Sequence, residues 1–581
     1  MTMQRIWRYY KAPYNHNPDL ECSKTIETAW CDQLYTDEIL TDIAGNGFNG
    51  IWLDAHLYDL VRHSEFPEFG LFAEQHIEAL SRLIDKAAKH GIKVWLCMQP
   101  GRGVSENDHA FWEKHSDIAG TRHPIHTKSW GAKGDKEYTE IISLCTSTAP
   151  VKRYLEEAFA ELGKCLPGLG GCILITASEF PAHCFTFRQS AEKTCPRCEA
   201  RGIVNVISEV VTLAAQGLRS TNPQAEIIAW DWGWGEHAPD IVPELPKDVI
   251  LMPNFESGCR RTVCGRENVL INEYSLSCPG PSPRFVKEIE QAEKQGMRWM
   301  ARLQLGTTHE LATVSNLPVL ATLFEKASFL RKRRSAGFMG CWNFGNMFSA
   351  NTSAFNFFLS DKAPEDCHQA LCAFAKQYFV GADAEKAAQA WESLSQALSN
   401  YYPFDNDFMY VGPVNWSAGY FSPPGPMQGK GGLSFSCRLG NERGDDFSGA
   451  FEKFSLQEIL PYMEKLADAW EKGTALLDEA LENATCAHAE EELSAVHTAS
   501  AVFRSTCHLL RIVQMKQEQG EASGPAYAEI QRKELENVEK LLPYLERDAR
   551  QGFHAEARAY LFDANRVREK ITRLKEYLKN S

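Results

Sequence analysis

A chain of 581 residues that is 44% hydrophobic and 24% charged has the balance of a globular protein large enough for two or three domains. Its formal charge of −15 argues against a nucleic-acid backbone or an anionic membrane surface as the main partner. No apolar run approaches the ~18 residues of a membrane helix, and the opening "MTMQRIWRYYKAPYN" has no apolar h-region, so a cytoplasmic protein is expected, with its 18 cysteines as thiols or metal ligands rather than a disulfide framework.

In chain order, short β-rich runs then alternate with helical patterns. The strands are expected at 5–11 (RIWRYYK), 48–55 (FNGIWLDA), 92–100 (IKVWLCMQP), 171–179 (GCILITASE), 225–232 (AEIIAWDW), 248–256 (DVILMPNFE), 297–306 (MRWMARLQLG) and 336–345 (AGFMGCWNFG). The helices between them show apolar stripes, as with Ile77, Leu80, Ile84, Ala87 and Ala88. Arg331-Lys332-Arg333-Arg334 closes such a helix, where cations favour the dipole. Eight near-continuous apolar strands separated by helices imply a parallel sheet covered on both faces, closed as a (β/α)8 TIM barrel over 1–360. No GxGxxG or P-loop spacing supports a doubly wound nucleotide fold or an organic cofactor.

The C-terminal strand ends carry the chemistry of such a barrel. Here they offer Asp54 and His56, then Arg102, then Glu179, then Asp231 and Trp232. Further on come Glu273 and Tyr274, then Arg302 and Gln304, then Trp342 and Asn343. Each alone reads as a cap, an ion-pair partner or core. Together, acids, amides, arginines and aromatic faces are the mixture that binds sugars, and two carboxylates suffice for glycosidic cleavage. Glu179, beside apolar Phe180 and Pro181, is the expected proton donor; Asp231 or Glu273 is its expected partner.

"FWEKHSDIAG", "SLCTSTAPVKRYL", the acid ending the fourth strand and the following "CPRC" resemble barrel exo-glycosidases: family 20 β-hexosaminidases, family 123 enzymes and relatives of bacterial α-glucuronidases. The resemblance implies an exo-acting glycoside hydrolase. Where the substrate-assisted hexosaminidases carry adjacent Asp and Glu, this chain has Ser178-Glu179. That favours a protein nucleophile or base over acetamido assistance, and admits an acidic sugar held by Arg102, Arg260 or Arg302.

His183, Cys184, Cys195 and Cys198 form a candidate structural Zn²⁺ knuckle, the fourth ligand to come from elsewhere if adjacent His183 and Cys184 cannot both bind. Reduced, unligated thiols are the alternative. Beyond the barrel, 361–450 reads as two helices followed by a Gly-, Pro- and aromatic-rich loop. It either folds over the barrel mouth, placing Trp416 at a sugar subsite, or packs on helices. Residues 451–581 read as a helical bundle suited to stability or to a homodimer contact. The expected partner is an oligosaccharide or glycoconjugate. A carbohydrate-binding barrel without hydrolysis, or a metal-dependent hydrolase, are the competing functions.

Overall fold

The computed structural model describes residues 3–12, 19–20, 26–127, 132–177, 180–186, 195–342, 346–429, 444–446, 449–555 and 559–580. Its centre is a closed barrel of eight strands. They are β1 (Gln4–Trp7), β2 (Gly50–Asp54), β3 (Lys93–Met98), β4 (Gly171–Ile175), β5 (Glu226–Trp230), β6 (Ile250–Met252), β7 (Arg298–Leu303) and β8 (Gly337–Gly340). Each pairs in parallel with its neighbours in chain order, and β8 closes on β1 through Arg5 opposite Phe338. The strands are short and buried almost throughout, as a sheet covered on both faces requires. Seven fall wholly inside the runs expected from the sequence, and β1 begins one residue before its run, at Gln4.

The covering layer follows from helical spacing. In α2 (Ala73–Lys89), which follows α1 (Asp37–Gly45), the buried positions His76, Ala79, Leu80, Leu83, Ile84 and Ala87 recur every three or four residues. The layer continues through α3 (Ala149–Cys165), α4 (Ile203–Thr221) and α5 (Pro283–Lys294). Between β3 and β4 the chain also forms a three-stranded antiparallel sheet of Val104–Ser105, Tyr138–Leu144 and Ala119–His126. The sequence reading passed over this sheet because its buried positions include polar residues, Thr121, His123 and Ser143 among them, which break the apolar pattern of a strand.

Two compact units divide the chain. The first holds residues 1–255, 283–303 and 334–340, and so the whole barrel; the second holds 256–282, 304–333 and 341–581. The second unit is mainly helical: α6 (Leu320–Lys332), α7 (Ala350–Phe358), α8 (Cys367–Tyr378), α9 (Ala384–Tyr401), α10 (Leu456–Leu481), α11 (Ala487–Gln519), α12 (Gly524–Arg547) and α13 (Ala564–Asn580). The basic run does end α6, with Arg331 donating to the carbonyls of Ser360 and Ala363.

Three details depart from expectation. Within the stretch read as a helical bundle, the last helix begins only at Ala564, because Phe553–His554 pairs with Ala559–Tyr560 and Asp563 accepts from the Arg566 amide. The stretch read as loop after 402 contains a helix, Asn406–Tyr410, and two short turns of 3-10 helix. Cys259 and Cys278 form a disulfide in the second unit, bridging the hairpin Cys259–Val263/Arg266–Ile271 to the segment after it. No described helix is long and apolar enough to cross a membrane.

Candidate active site at the strand ends

The mouth of the first unit is built from the residues just beyond each strand. Arg8, directly after β1, lies 4.0 Å over the Trp52 ring and donates to Glu27 at 2.9 Å. The same Glu27 oxygen accepts the Asp54 amide at 2.9 Å, fixing the end of β2. Glu27 is wholly buried, and burial pushes its carboxyl up to about 7, against the pull of Arg8. The sequence reading missed Glu27. Its only signal was an acid inside the apolar stretch Ile26–Trp30, with no fixed spacing to the other groups.

His56 is oriented by Asp59 at 3.0 Å. Arg102 donates to Gln99 at 3.1 Å and stacks 3.3 Å from the Phe180 ring. Across the same end, the Trp230 indole donates to Asn254 at 3.0 Å, half-buried Trp232 lies 5.9 Å from Trp230, and the buried Arg302 guanidinium lies 5.9 Å over Trp230. Expected residues Asp54, His56, Arg102, Trp232 and Arg302 therefore all belong to this end of the first unit, joined by Arg8, Glu27, Trp230 and Asn254.

Residues 178 and 179 lie outside the described residues, and with them the expected acid Glu179; so does Asn343. The residues flanking 178 and 179 are tightly held. On the near side, Trp234 donates to Thr176 Oγ1 at 2.7 Å. Gly233 adopts φ +77°, and a Cβ there would sit 1.7 Å from the Ala177 carbonyl oxygen, so "WDWGWG" needs glycine at this contact. On the far side the three-stranded sheet acts as a platform. Gly103 N–H donates to Pro181, Ser143 Oγ to the His183 carbonyl at 3.0 Å, and Thr121 Oγ1 to the Cys184 carbonyl at 2.9 Å. Gly120, at the bulge of that sheet, leaves room for the Cys184 sulfur; a Cβ would lie 2.4 Å from it.

The two expected partner carboxylates differ sharply. Asp231 is fully buried; Arg284 of α5 pairs with it, and the Asn254 amide donates to it at 2.9 Å. Arg284 also binds Glu288 at 2.8 Å, so two buried acids share one guanidinium. Burial and the Asp231 charge hold the Glu288 carboxyl well above the usual carboxylate range. In the second unit, Glu273 is only half-buried, accepting from the Tyr410 hydroxyl and from the Tyr274 amide at 2.8 Å. Other acids there are engaged within the unit. Glu256 takes the Gln304 amide at 2.9 Å and the Lys326 ammonium at 2.5 Å on one oxygen, and Glu310 takes the Ser275 hydroxyl and the Leu276 amide. Of the remaining expected residues in that unit, Gln304 donates to the Thr307 carbonyl and Tyr274 is buried. Trp342 is half-buried, and Trp416 is interior, packed edge-on to Tyr420 at 5.3 Å.

The thiol cluster differs in membership from expectation. Cys145, Cys184, Cys195 and Cys198 bring their sulfurs within 4.8 Å of one another, all buried. Cys145, which ends the Tyr138–Leu144 strand, stands where His183 was expected. The His183 Nδ1 instead accepts the Phe185 amide at 3.1 Å, and burial pushes its imidazole down to about 3. Adjacent side chains diverge here: Cys184 turns into the cluster and His183 away from it.

Two solved structures resemble the whole chain. One is a family 138 glycoside hydrolase targeting pectin rhamnogalacturonan II (TM-score 0.50, 11% identity, covering 100% of this chain and 66% of that one). The other is a family 89 glycoside hydrolase from Clostridium perfringens, solved in complex with PUGNAc (TM-score 0.51, 10% identity, 100% and 64%). The chain thus spans about two thirds of the length of each. At these identities the likeness establishes the architecture, a (β/α)8 barrel with a helical C-terminal region. No family model matches the sequence, and no curated protein matches it either.

Proposed function

We propose that the chain is an exo-acting glycoside hydrolase that removes a terminal sugar from an oligosaccharide or glycoconjugate by carboxylate acid/base catalysis. The observation that carries this is the set of groups gathered at one end of the barrel: Arg8, Asp54, His56, Arg102, Trp230, Asn254 and Arg302. Guanidinium and amide groups fork hydrogen bonds to hydroxyl or carboxylate groups, and indole faces cover sugar C–H surfaces. The likeness in fold to two glycoside hydrolases supports the same reading.

Glu179 is assigned the proton donor's role, a part of the proposal that comes from its place at the end of the fourth strand and from the family 20 and 123 likeness. For the second carboxylate the proposal keeps two candidates, Asp231 in the first unit and Glu273 in the second. Asp231 is fully engaged by Arg284 and the Asn254 amide, so moving it toward a substrate would break a buried ion pair. Glu273 is half-buried and accepts the Tyr410 hydroxyl. The arginines at the mouth extend the substrate class to acidic sugars.

The test is a screen of aryl glycosides, uronides, sialosides and N-acetylhexosaminides with the native chain and with Glu179→Gln, Glu273→Gln and Asp231→Asn. Removing a general acid lowers rates by about 10²–10⁴-fold on poor leaving groups and much less on activated ones. Glu179→Gln should follow that split, and loss of activity on both kinds of substrate in Asp231→Asn or Glu273→Gln, in protein that stays folded, marks the second carboxylate. Native activity that Glu179→Gln matches on a poor leaving group would remove the acid assignment.

A further inference from the structure

The cysteine cluster carries a separate inference, independent of the hydrolase reading. We propose that Cys145, Cys184, Cys195 and Cys198 hold one structural Zn²⁺ as a tetrahedral four-thiolate site. A tetrahedral centre with metal–sulfur bonds of about 2.3 Å places its sulfurs about 3.8 Å apart. Cys145 Sγ lies 3.6 Å from Cys195 Sγ and 3.7 Å from Cys198 Sγ. A disulfide would bring two of them to about 2.05 Å. Thiols used as apolar filler have no reason to converge from three separate stretches of chain on one point.

The surroundings suit a charged thiolate centre. The Ser147 hydroxyl lies 3.1 Å from Cys198 Sγ. The Arg197 guanidinium, carried by the CxxC turn itself, donates to the Asp117 and Ala119 carbonyls. Four thiolates around a divalent cation leave a net double negative charge, which this arginine and the hydroxyl offset. The other such group among the described residues, His368, Cys372 and Glu385, has a simpler account: His368 is an ion-pair partner of Glu385 at 2.7 Å and of Glu392 at 3.1 Å.

The site joins the end of the platform strand at Cys145, the stretch after β4 at Cys184 and the CxxC turn at 195–198. A bound ion would cross-link the platform to the stretch that follows the strand-four acid. All four protein ligands fill the tetrahedron, so no position is left for substrate, and the role is structural.

The full-length chain, purified without chelator, should contain about one zinc per chain by elemental analysis. Cys145→Ser should lower bound zinc by about ten-fold or more, while Cys97→Ser, a β3 thiol outside the cluster, should leave it unchanged. Co²⁺ exchanged into the native chain should show the intense visible bands and near-ultraviolet charge transfer of tetrahedral cobalt thiolate. If Cys145→Ser does not fold, that cobalt spectrum decides. A folded native chain without zinc, equal zinc in Cys145→Ser and native, iron in place of zinc, or a disulfide among these four residues would each overturn the proposal.

Discussion

Two buried glutamates, one in the helical unit and one at the barrel mouth, respond oppositely to the same desolvation. Burial raises the pKa of Glu534, but Lys570 at 2.5 Å, His508 at 2.5 Å and the Ser505 hydroxyl at 2.6 Å outweigh it, and the carboxyl falls to about 2. Burial likewise raises Glu27, and Arg8 is its single cationic partner; the carboxyl settles at about 7. The number of cations around a buried acid, rather than its burial, decides whether it is a clamp or a group poised to change charge. The bundle uses its acid to tie α11, α12 and α13 together. The barrel mouth holds its acid near the protonation threshold, as sites of chemistry commonly do.

The largest expected effect comes from breaking the clamp. Lys570→Met leaves Glu534 with its charge buried and its ammonium partner gone, and should cost about 3–5 kcal/mol in denaturant unfolding. Pairing it with Glu534→Leu should recover most of that loss, because the penalty belongs to the uncompensated charge and not to the missing attraction.

A pH series sharpens the contrast. With a folded pKa of about 2 against an ordinary 4.5, Glu534 contributes stability that is complete above 4.5 and lost as pH falls toward 2. Glu27 has its folded pKa raised to about 7, so it binds its proton more tightly folded than unfolded, and stability falls as pH rises from 4.5 to 7. Its contribution is at most about 3 kcal/mol. Hydrogen exchange, corrected for intrinsic rates, should show peptides around β1 and β2 gaining protection between about pH 7.5 and about pH 5, with peptides around Glu534 flat over that range. Equal slopes in the two regions would remove the distinction.

The smallest effect is at the flank of the strand-four acid. Trp234→Phe deletes the hydrogen bond to Thr176 and should cost about 1 kcal/mol. It should lower kcat with little change in KM, because the indole acts through the chain entering residue 178. A variant that loses stability and keeps its full kcat would show that this contact supports the fold only.

Much of the barrel was legible because its strands are short, apolar and regularly spaced, and each is followed by a helical stripe. Ile51-Trp52-Leu53 and Cys172-Ile173-Leu174 are buried throughout, and continuous burial writes itself as a continuous apolar run. The antiparallel platform was not legible, since Ala119–His126 alternates buried and exposed positions but buries polar Thr121 and His123, so its alternation is not written in hydrophobic residues. The same difference appears at the site. Strand-end polar residues could be named from their position, but their partners could not. Nothing local says that Asp231 meets Arg284, or that Glu27 meets Arg8, because those pairs span 53 and 19 residues of chain.

The amino-acid sequence by itself determined the number of strands, the parallel closure, the helical C-terminal region and the clustering of acids, arginines and indoles at strand ends. Periodicity and composition are local properties, and a single chain carries them in full. Tertiary structure alone decided which acid is saturated and which is half-buried, and that Cys145 rather than His183 completes the thiol cluster. Those outcomes depend on which distant side chains arrive at one point with their dipoles aimed, and a linear pattern holds no record of that convergence.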